Sequence, residues 1–208
     1  MQIEIPSKVQ AMLLPNVTLF PGMMLPLYIF EPRYRKMLTE VLAGNRMFAV
    51  VMLKPAAMME EPVDVGCLGL VRACVENKDG TSNLFLQGIT RVIVKGQDEE
   101  SEYPLLDVEP VAPPPESTIK SEALALKVKE LVTERLGNEP KPPPEELAPE
   151  MPDVQQQLAE TISAIESPAQ LADMVTYALI SDPTRKQELL ETLSIEDRLD
   201  KLILFLLE

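Results

Sequence analysis

Proline is concentrated in one part of this 208-residue chain. Ten of its twenty prolines lie between residues 110 and 152. Proline lacks a backbone N–H and fixes φ, so such a segment neither continues a sheet nor forms the interior of a helix. The concentration therefore predicts a boundary between two differently built parts. We expect a β-rich domain at residues 1–111, proline-rich linkers flanking one helix at 112–152, and a helical subdomain at 153–208.

The part before this boundary has the pattern of short strands. Apolar runs rich in Val, Ile, Leu and Phe alternate with turn residues, which is typical of a mostly β domain. The predicted strands are Val9–Leu14, Leu25–Ile29, Met47–Leu53, Leu68–Glu76, Asn83–Gln87, Arg91–Gly96 and Leu105–Pro110. One helix interrupts them, and it begins at Pro32 and ends at Gly44. The Asp79-Gly80 pair predicts a hairpin turn.

The part after the boundary contains recognisable helix starts. Ser117–Leu136 has apolar residues at helical spacing and ends at Gly137, which predicts one helix between the two proline clusters. Further capping residues each stand just before an apolar run: Asp153, Ser167, Asp182 and Ser194. Each following segment carries one apolar stripe. The sequence therefore predicts a small C-terminal helical bundle.

Composition and charge exclude several functional classes. The chain has no histidine, which removes Ser-His-Asp and Cys-His catalysis and every histidine-containing zinc site. Its formal net charge of −14 opposes binding to nucleic acid and to anionic lipid. Acidic clusters such as Asp98-Glu99-Glu100 lack the ligand spacing of a calcium loop. We therefore expect no catalytic residue, no metal and no cofactor.

Two features bear on the location of the protein. Cys67 and Cys74 are seven residues apart on one predicted strand, so their side chains are expected on opposite faces and without a disulfide. Residues 9–30 carry no charge and are long enough to span a bilayer. Three prolines and Gly22 within this segment would break a membrane helix. We expect a cytoplasmic protein that does not enter the membrane.

Short motifs occur in a characteristic order along nearly the whole chain. In the first half they are Leu14-Pro15, Leu19-Phe20-Pro21-Gly22, Phe30-Glu31-Pro32-Arg33-Tyr34, Val65-Gly66-Cys67-Leu68-Gly69 and Gln87-Gly88-Ile89-Thr90-Arg91-Val92. In the second half they are Ser167-Pro168-Ala169-Gln170-Leu171-Ala172-Asp173, Lys186-Gln187-Glu188-Leu189-Leu190-Glu191 and Arg198-Leu199-Asp200-Lys201-Leu202. Together they resemble the N-terminal, substrate-recognition domain of Lon proteases, which is found also as short stand-alone bacterial chains. The resemblance implies an α+β fold, a PUA-like β pseudo-barrel followed by a C-terminal helical bundle.

The sequence departs from a whole Lon protease in what it lacks. The nucleotide-binding pattern Gly-x-x-x-x-Gly-Lys-Ser/Thr of the Lon ATPase does not occur in these 208 residues, and the Ser-Lys proteolytic domain has no counterpart. The resemblance therefore implies a non-catalytic module that binds exposed apolar segments of unfolded or extended polypeptides. A protease or a chaperone is the expected partner, for which the module would act as an adaptor.

Methionine-rich loops are the candidate peptide-binding surface. Met23 and Met24 lie in the loop that follows Phe20, and Met58 and Met59 lie in a loop between strands. Methionine is flexible and polarizable, so an exposed cluster adapts to many apolar partners. Phe20 and these four methionines are the candidate peptide-binding residues, with core packing as the competing interpretation. For four aromatic residues the core is the favoured prediction: Phe20, Tyr28, Phe30 and Tyr34.

Two other functions stay open at the level of sequence. A small enzyme using carboxylate and lysine chemistry would need a deep pocket with converging Asp, Glu, Lys or Ser side chains. An RNA-binding module, by analogy with PUA-like folds, would need a basic patch around Arg33, Arg35, Lys36 and Arg72. A polypeptide-binding module needs an open apolar surface instead.

Overall fold

Five strands close into a ring, and a sixth is attached outside it. The computed structural model describes residues 5–55, 60–98, 100–113, 116–138 and 154–208. Its strands are β1 (Lys8–Leu14), β2 (Met24–Ile29), β3 (Met47–Met52), β4 (Val65–Glu76), β5 (Ser82–Asp98) and β6 (Leu105–Pro110). The ring runs β1–β3–β4–β5–β6 and returns to β1, with only its β1–β3 pair parallel. This ring is the predicted β pseudo-barrel.

Strand β5 holds the ring and the sixth strand together. It is a single strand of 17 residues where the sequence predicted two. Its register with β4 shifts between Leu68 and Gly69, which leaves Ile89 as an extra residue in β5. Such a bulge bends a strand without ending it. The predicted break between Asn83–Gln87 and Arg91–Gly96 is therefore wrong, and the bent strand pairs first with β2 and then with β6.

Helix α1 (Pro32–Ala43) covers the inner side of β2 and of the first half of β5. Its buried residues recur at helical spacing and pack against strand residues such as Leu84 and Leu86: they are Tyr34, Met37, Leu38 and Val41. The Tyr34 hydroxyl accepts a hydrogen bond from the Leu13 N–H and donates one to the Leu13 carbonyl, both at 3.2 Å. The predicted limits hold, because Pro32 is the first helical residue and Gly44 is the C-cap.

A second bulge changes which side of β4 faces the core. The register shifts between Val71 and Ala73, so Arg72 is an extra residue in β4. The bulge reverses the alternation of side chains. Cys67 and Cys74 consequently both contact the core cluster beneath α1, as free thiols. The prediction that they occupy opposite faces is wrong.

The chain divides into two compact units, and the division does not follow the chain order. The first unit is Met1–Pro113 with Asp182–Glu191, and the second is Pro114–Ser181 with Thr192–Glu208. Helix α5 (Pro183–Glu191) thus belongs to the β-rich unit, although the sequence groups it with the helical subdomain 153–208. The Gln187 side-chain amide donates to the Val65 carbonyl at 2.8 Å. The Arg91 guanidinium donates to the Leu190 carbonyl at 2.9 Å.

The second unit is built from helices that pack on one another. They are α2 (Ile119–Asn138), α3 (Val154–Ala164), α4 (Pro168–Leu179) and α6 (Ile195–Leu207). Two predicted caps are confirmed, because the Ser167 and Ser194 hydroxyls accept hydrogen bonds from N–H groups three residues later. Asp182 caps α5 in the same way, and Asp153 lies outside the described residues. No helix in the described ranges is long and apolar enough to cross a membrane.

Candidate functional site

Strand β2 forms an edge of the sheet, and it is apolar on both sides. Within the described ranges it pairs with β5 alone. Leu25, Leu27 and Ile29 pack towards the core beneath α1. Met24 and the alternate residues Pro26 and Tyr28 are exposed on the other side. One side of this strand therefore presents apolar groups to solvent.

The neighbouring strands continue this exposed side. Phe85 of β5 lies opposite Pro26 of β2 and opposite Ala73 of β4, and all three are exposed. The side chains of Tyr28 and Phe85 are 52% and 51% exposed, and Phe30, at 59%, stacks on Tyr28 with ring centroids 5.8 Å apart. We call this surface the outer face, and it consists of Met24, Pro26, Tyr28, Phe30, Ala73, Val75 and Phe85.

The outer face carries no charged side chain of its own. Its polar neighbours in β5 are Asn83 and Gln87, which lie opposite Tyr28 and Met24. Arg72 borders the face, and its guanidinium donates to the Gln87 side-chain oxygen at 2.6 Å. Contiguous apolar patches on a soluble protein mark sites of interaction with other molecules. The arrangement suits an apolar partner that is bound by burial of surface.

Oppositely charged side chains pair with one another where β2 leads into α1. The Arg33 guanidinium donates to both carboxylate oxygens of Glu60, at 2.6 and 2.8 Å, and to Glu31 at 3.1 Å. It also lies over the Tyr34 ring at 4.6 Å. The hydrogen bonds from Arg33 hold the pKa of Glu60 below its ordinary value, and the same contact raises the pKa of Arg33. The positive charge of Arg33 is therefore already balanced within the protein.

The structure separates the predicted peptide-binding residues from one another. Phe20 is fully buried, so its side chain fills the core and does not contribute to a surface. Met23 is half-buried, and Met24 is exposed on the outer face. Met58 and Met59 lie outside the described residues. Of the three candidates within the described residues, Met24 lies on the outer face, and the burial of Phe20 corrects its selection as a contact residue.

Most residues of the outer face were not among the peptide-binding residues predicted from the sequence. The core was the favoured prediction for Tyr28 and Phe30, and both are exposed. Val75 and Phe85 lie in predicted strands, and their sequence context gives no sign of exposure. A signal was present nonetheless, because β2 is apolar at every position from Met24 to Ile29. An antiparallel strand with one solvated side normally alternates apolar and polar residues, so a strand without alternation is either covered on both sides or exposes an apolar side.

A cleft beside α1 offers little support for an enzyme. It has a volume of about 530 Å³, and its ionisable lining groups are Arg35, Lys36, Arg46, Cys74 and Glu76. Glu76 is the single carboxylate among its lining residues, so no pair of carboxylates converges there. Across the part of the chain that the structure describes, no three His, Cys, Asp or Glu side chains group as metal ligands would.

Two of the four basic residues considered for RNA binding are paired with carboxylates of the same chain. Arg33 is paired with Glu31 and Glu60, and Lys36 is paired with Glu102. A phosphate backbone is bound by basic groups that can release its counterions. Groups already neutralised by carboxylates of the same chain contribute little to that release.

Known proteins match along almost the whole chain. Residues 8–208 match the family model described as the ATP-dependent protease La (LON) substrate-binding domain. The Lon protease of Dictyoglomus thermophilum is 24% identical over 206 residues, which cover 98% of this chain and 24% of that protein. The Lon protease of Desulfosudis oleivorans is 28% identical over 203 residues, which cover 95% of this chain and 23% of that protein. The chain thus spans about a quarter of the length of these relatives.

Solved structures share the fold. The N-terminal domain of Mycobacterium avium complex Lon protease matches with a TM-score of 0.75 at 18% identity, covering 97% of this chain and 98% of that chain. The Lon N-terminal domain protein from Xanthomonas campestris matches with a TM-score of 0.67 at 17% identity, covering 96% of this chain and 99% of that chain. The α+β architecture is therefore common to all three chains.

Proposed function

Since the chain belongs to the Lon substrate-binding domain family, we propose that it is a non-catalytic recognition module that binds exposed apolar segments of polypeptides on its outer face. The single observation that carries this proposal is the continuous apolar surface of β2, β5 and β4, which includes Tyr28, Phe30 and Phe85. Unfolded chains expose the apolar side chains that folded chains bury, so such a surface selects for them.

The physical basis of this binding is burial of apolar area. Each half-exposed aromatic side chain has about 100 Å² left to bury, since aromatic side chains present about 200 Å² in total. At about 25 cal/mol per Å² this corresponds to at most about 2.5 kcal/mol for each ring. The outer face has no charges, so the affinity is expected to persist at high salt.

The proposal includes a partner and a location. The relatives are proteases about four times the length of this chain, and the 208 residues contain no P-loop. The module would therefore hand its clients to a protease or chaperone. Both cysteines are free thiols, in keeping with the reducing cytoplasm.

The experiment compares two double variants, each of which replaces two exposed apolar side chains by serine. Tyr28→Ser with Phe85→Ser removes two rings from the outer face, whereas Leu126→Ser with Leu204→Ser removes two exposed apolar side chains from the second unit. The probe is a permanently unfolded, reduced and carboxymethylated protein with a fluorescent label, and anisotropy gives the Kd. We expect the outer-face variant to bind at least about tenfold more weakly, and the control variant to bind as the unmodified protein does.

The same binding titration can also refute the proposed binding surface. Circular dichroism first establishes that both variants keep the melting behaviour of the parent. Equal Kd values for the two folded variants would show that the outer face is not the binding surface. A loss of binding at high salt in the parent protein would show that charge, and not apolar burial, drives the interaction.

A further inference from the structure

We propose that the bound polypeptide adds to the free edge of β2 as a further antiparallel strand, with its alternate apolar side chains lying on the outer face. This inference rests on the proposed function and specifies its mode. The ligand class is an extended segment in which every second residue is apolar. Two independent hydrogen bonds establish which backbone groups of β2 are available for such an addition.

The first hydrogen bond lies at the beginning of β2. The Gly88 N–H donates to the Met23 carbonyl at 2.9 Å. In an antiparallel ladder, hydrogen-bonded and non-hydrogen-bonded pairs alternate along each strand. Counting from Met23, the residues of β2 that bond to β5 are every second one, which includes Leu27. The backbone groups of Pro26 and Tyr28 therefore point away from β5.

The second hydrogen bond lies in the turn just before β5 begins. The Asn77 N–H donates to the Thr81 carbonyl at 2.8 Å, and the ladder between β4 and β5 continues from this pair. The same alternation directs the backbone groups of Asn83 and Phe85 towards β4. These two residues lie opposite Tyr28 and Pro26. Since they bond to β4, their neighbours in β2 are left facing outward, in agreement with the first argument.

Proline at position 26 fits this assignment. Proline has no N–H to donate and is tolerated in a sheet where its nitrogen faces away from the ladder. The edge then offers the Tyr28 N–H, the Tyr28 carbonyl and the Pro26 carbonyl to an incoming strand. The side chains of the same two residues lie on the outer face. Backbone groups and apolar contacts are thus presented together, as an extended peptide requires.

The other exposed edge in this region suits a peptide less well. Beyond Val71, β4 lacks β3 as a neighbour, because the register of that pair ends at Leu70. There Cys74 and Glu76 line the cleft beside α1, together with Arg35. An added strand at that edge would have to displace these side chains. The edge of β2 is next to the uncharged apolar surface instead.

Antiparallel addition makes a specific prediction about the peptide. A residue paired with Tyr28 places its side chain on the same side of the sheet as Tyr28. The apolar residues of the ligand are therefore the ones whose N–H groups point at β2. The polar residues between them point their N–H groups away. Methylation of the peptide nitrogens distinguishes the two sets, because it removes the hydrogen without changing the side chain.

The experiment uses the intact protein and three forms of one short peptide in which valine and lysine alternate. One form is unmodified, one is N-methylated at the valines, and one is N-methylated at the lysines. At high salt, which screens the charge of lysine, we expect the valine-methylated form to bind at least about tenfold more weakly than the lysine-methylated form. Equal affinity of the two methylated forms would overturn strand addition while leaving the proposed function intact. Absence of binding by the unmodified peptide would overturn both.

A pair of protein variants tests strand addition by changing the backbone of β2 instead of the peptide. Tyr28→Ala and Tyr28→Pro both remove the ring, and only the second also removes the outward N–H. We expect Tyr28→Pro to bind the unmodified peptide about fivefold more weakly than Tyr28→Ala. Equal affinity of the two folded variants would contradict the assignment of the edge. Should Tyr28→Pro fail to fold, the methylated peptides decide the mode of binding.

Discussion

The buried ion pair of the second unit permits a quantitative stability prediction. Arg198 of α6 donates to the carboxylate of Asp173 in α4 at 3.2 Å, and both side chains are buried. The same guanidinium donates to the carbonyls of Thr192 at 2.8 Å and Leu193 at 3.1 Å. One side chain therefore joins two helices and satisfies carbonyl groups of the segment that precedes α6.

The perturbation is Arg198→Met, which keeps much of the side-chain volume and removes the charge. It leaves the Asp173 carboxylate buried without its guanidinium partner, and removal of one member of a buried pair costs about 3–5 kcal/mol. A second substitution, Asp173→Leu, removes the remaining charge. We expect the double variant to be about 2 kcal/mol more stable than Arg198→Met, because no uncompensated charge is then buried.

Urea denaturation followed by circular dichroism measures these differences in the free energy of unfolding. The control is Lys127→Met at the exposed pair with Glu130 in α2, for which we expect a cost of at most about 0.5 kcal/mol. The reasoning is refuted if Arg198→Met costs no more than this control. It is equally refuted if the effects of the two substitutions at Arg198 and Asp173 simply add.

Two further predictions concern the first unit. Gly88→Ala should destabilise more than Gly22→Ala, as measured by thermal melting. A Cβ at Gly88 would lie 2.1 Å from the Phe20 carbonyl oxygen. A Cβ at Gly22 has nothing within 4 Å, so the cost there is the strain of a φ of +81°, about 1 kcal/mol. Equal losses of melting temperature in the two variants would contradict the close approach at Gly88. Hydrogen bonding from Arg33 lowers the pKa of Glu60, so the pair's stabilisation is present above the ordinary pKa of the carboxyl group and is lost as the pH falls through the depressed value. NMR titration should show this pKa rising in Arg33→Met, and an unchanged pKa would exclude the pair as its cause.

Local patterns in the sequence determined where most elements lie. The Asp79-Gly80 turn, the start of α1 at Pro32 and the caps at Ser167 and Ser194 all depend on interactions within a few residues. Such interactions are encoded by neighbouring side chains, so they can be identified without knowledge of the fold. The proline-rich segment separates the six strands from helices α2 to α6, but the grouping of α5 with the β-rich unit depends on residues distant in the chain.

Only the tertiary structure decided which apolar residues are covered. Met24 and Tyr28 belong to a strand that is apolar on both sides. Helix α1 covers one of these sides, and the other, with Phe85 beside it, stays exposed. The bulge at Arg72 and the packing of α5 on β4 likewise depend on partners distant in the chain. Burial is a property of what lies across the sheet, and residues far away in the sequence supply it. The chain therefore encodes its apolar surfaces locally, and long-range packing selects the one that stays exposed.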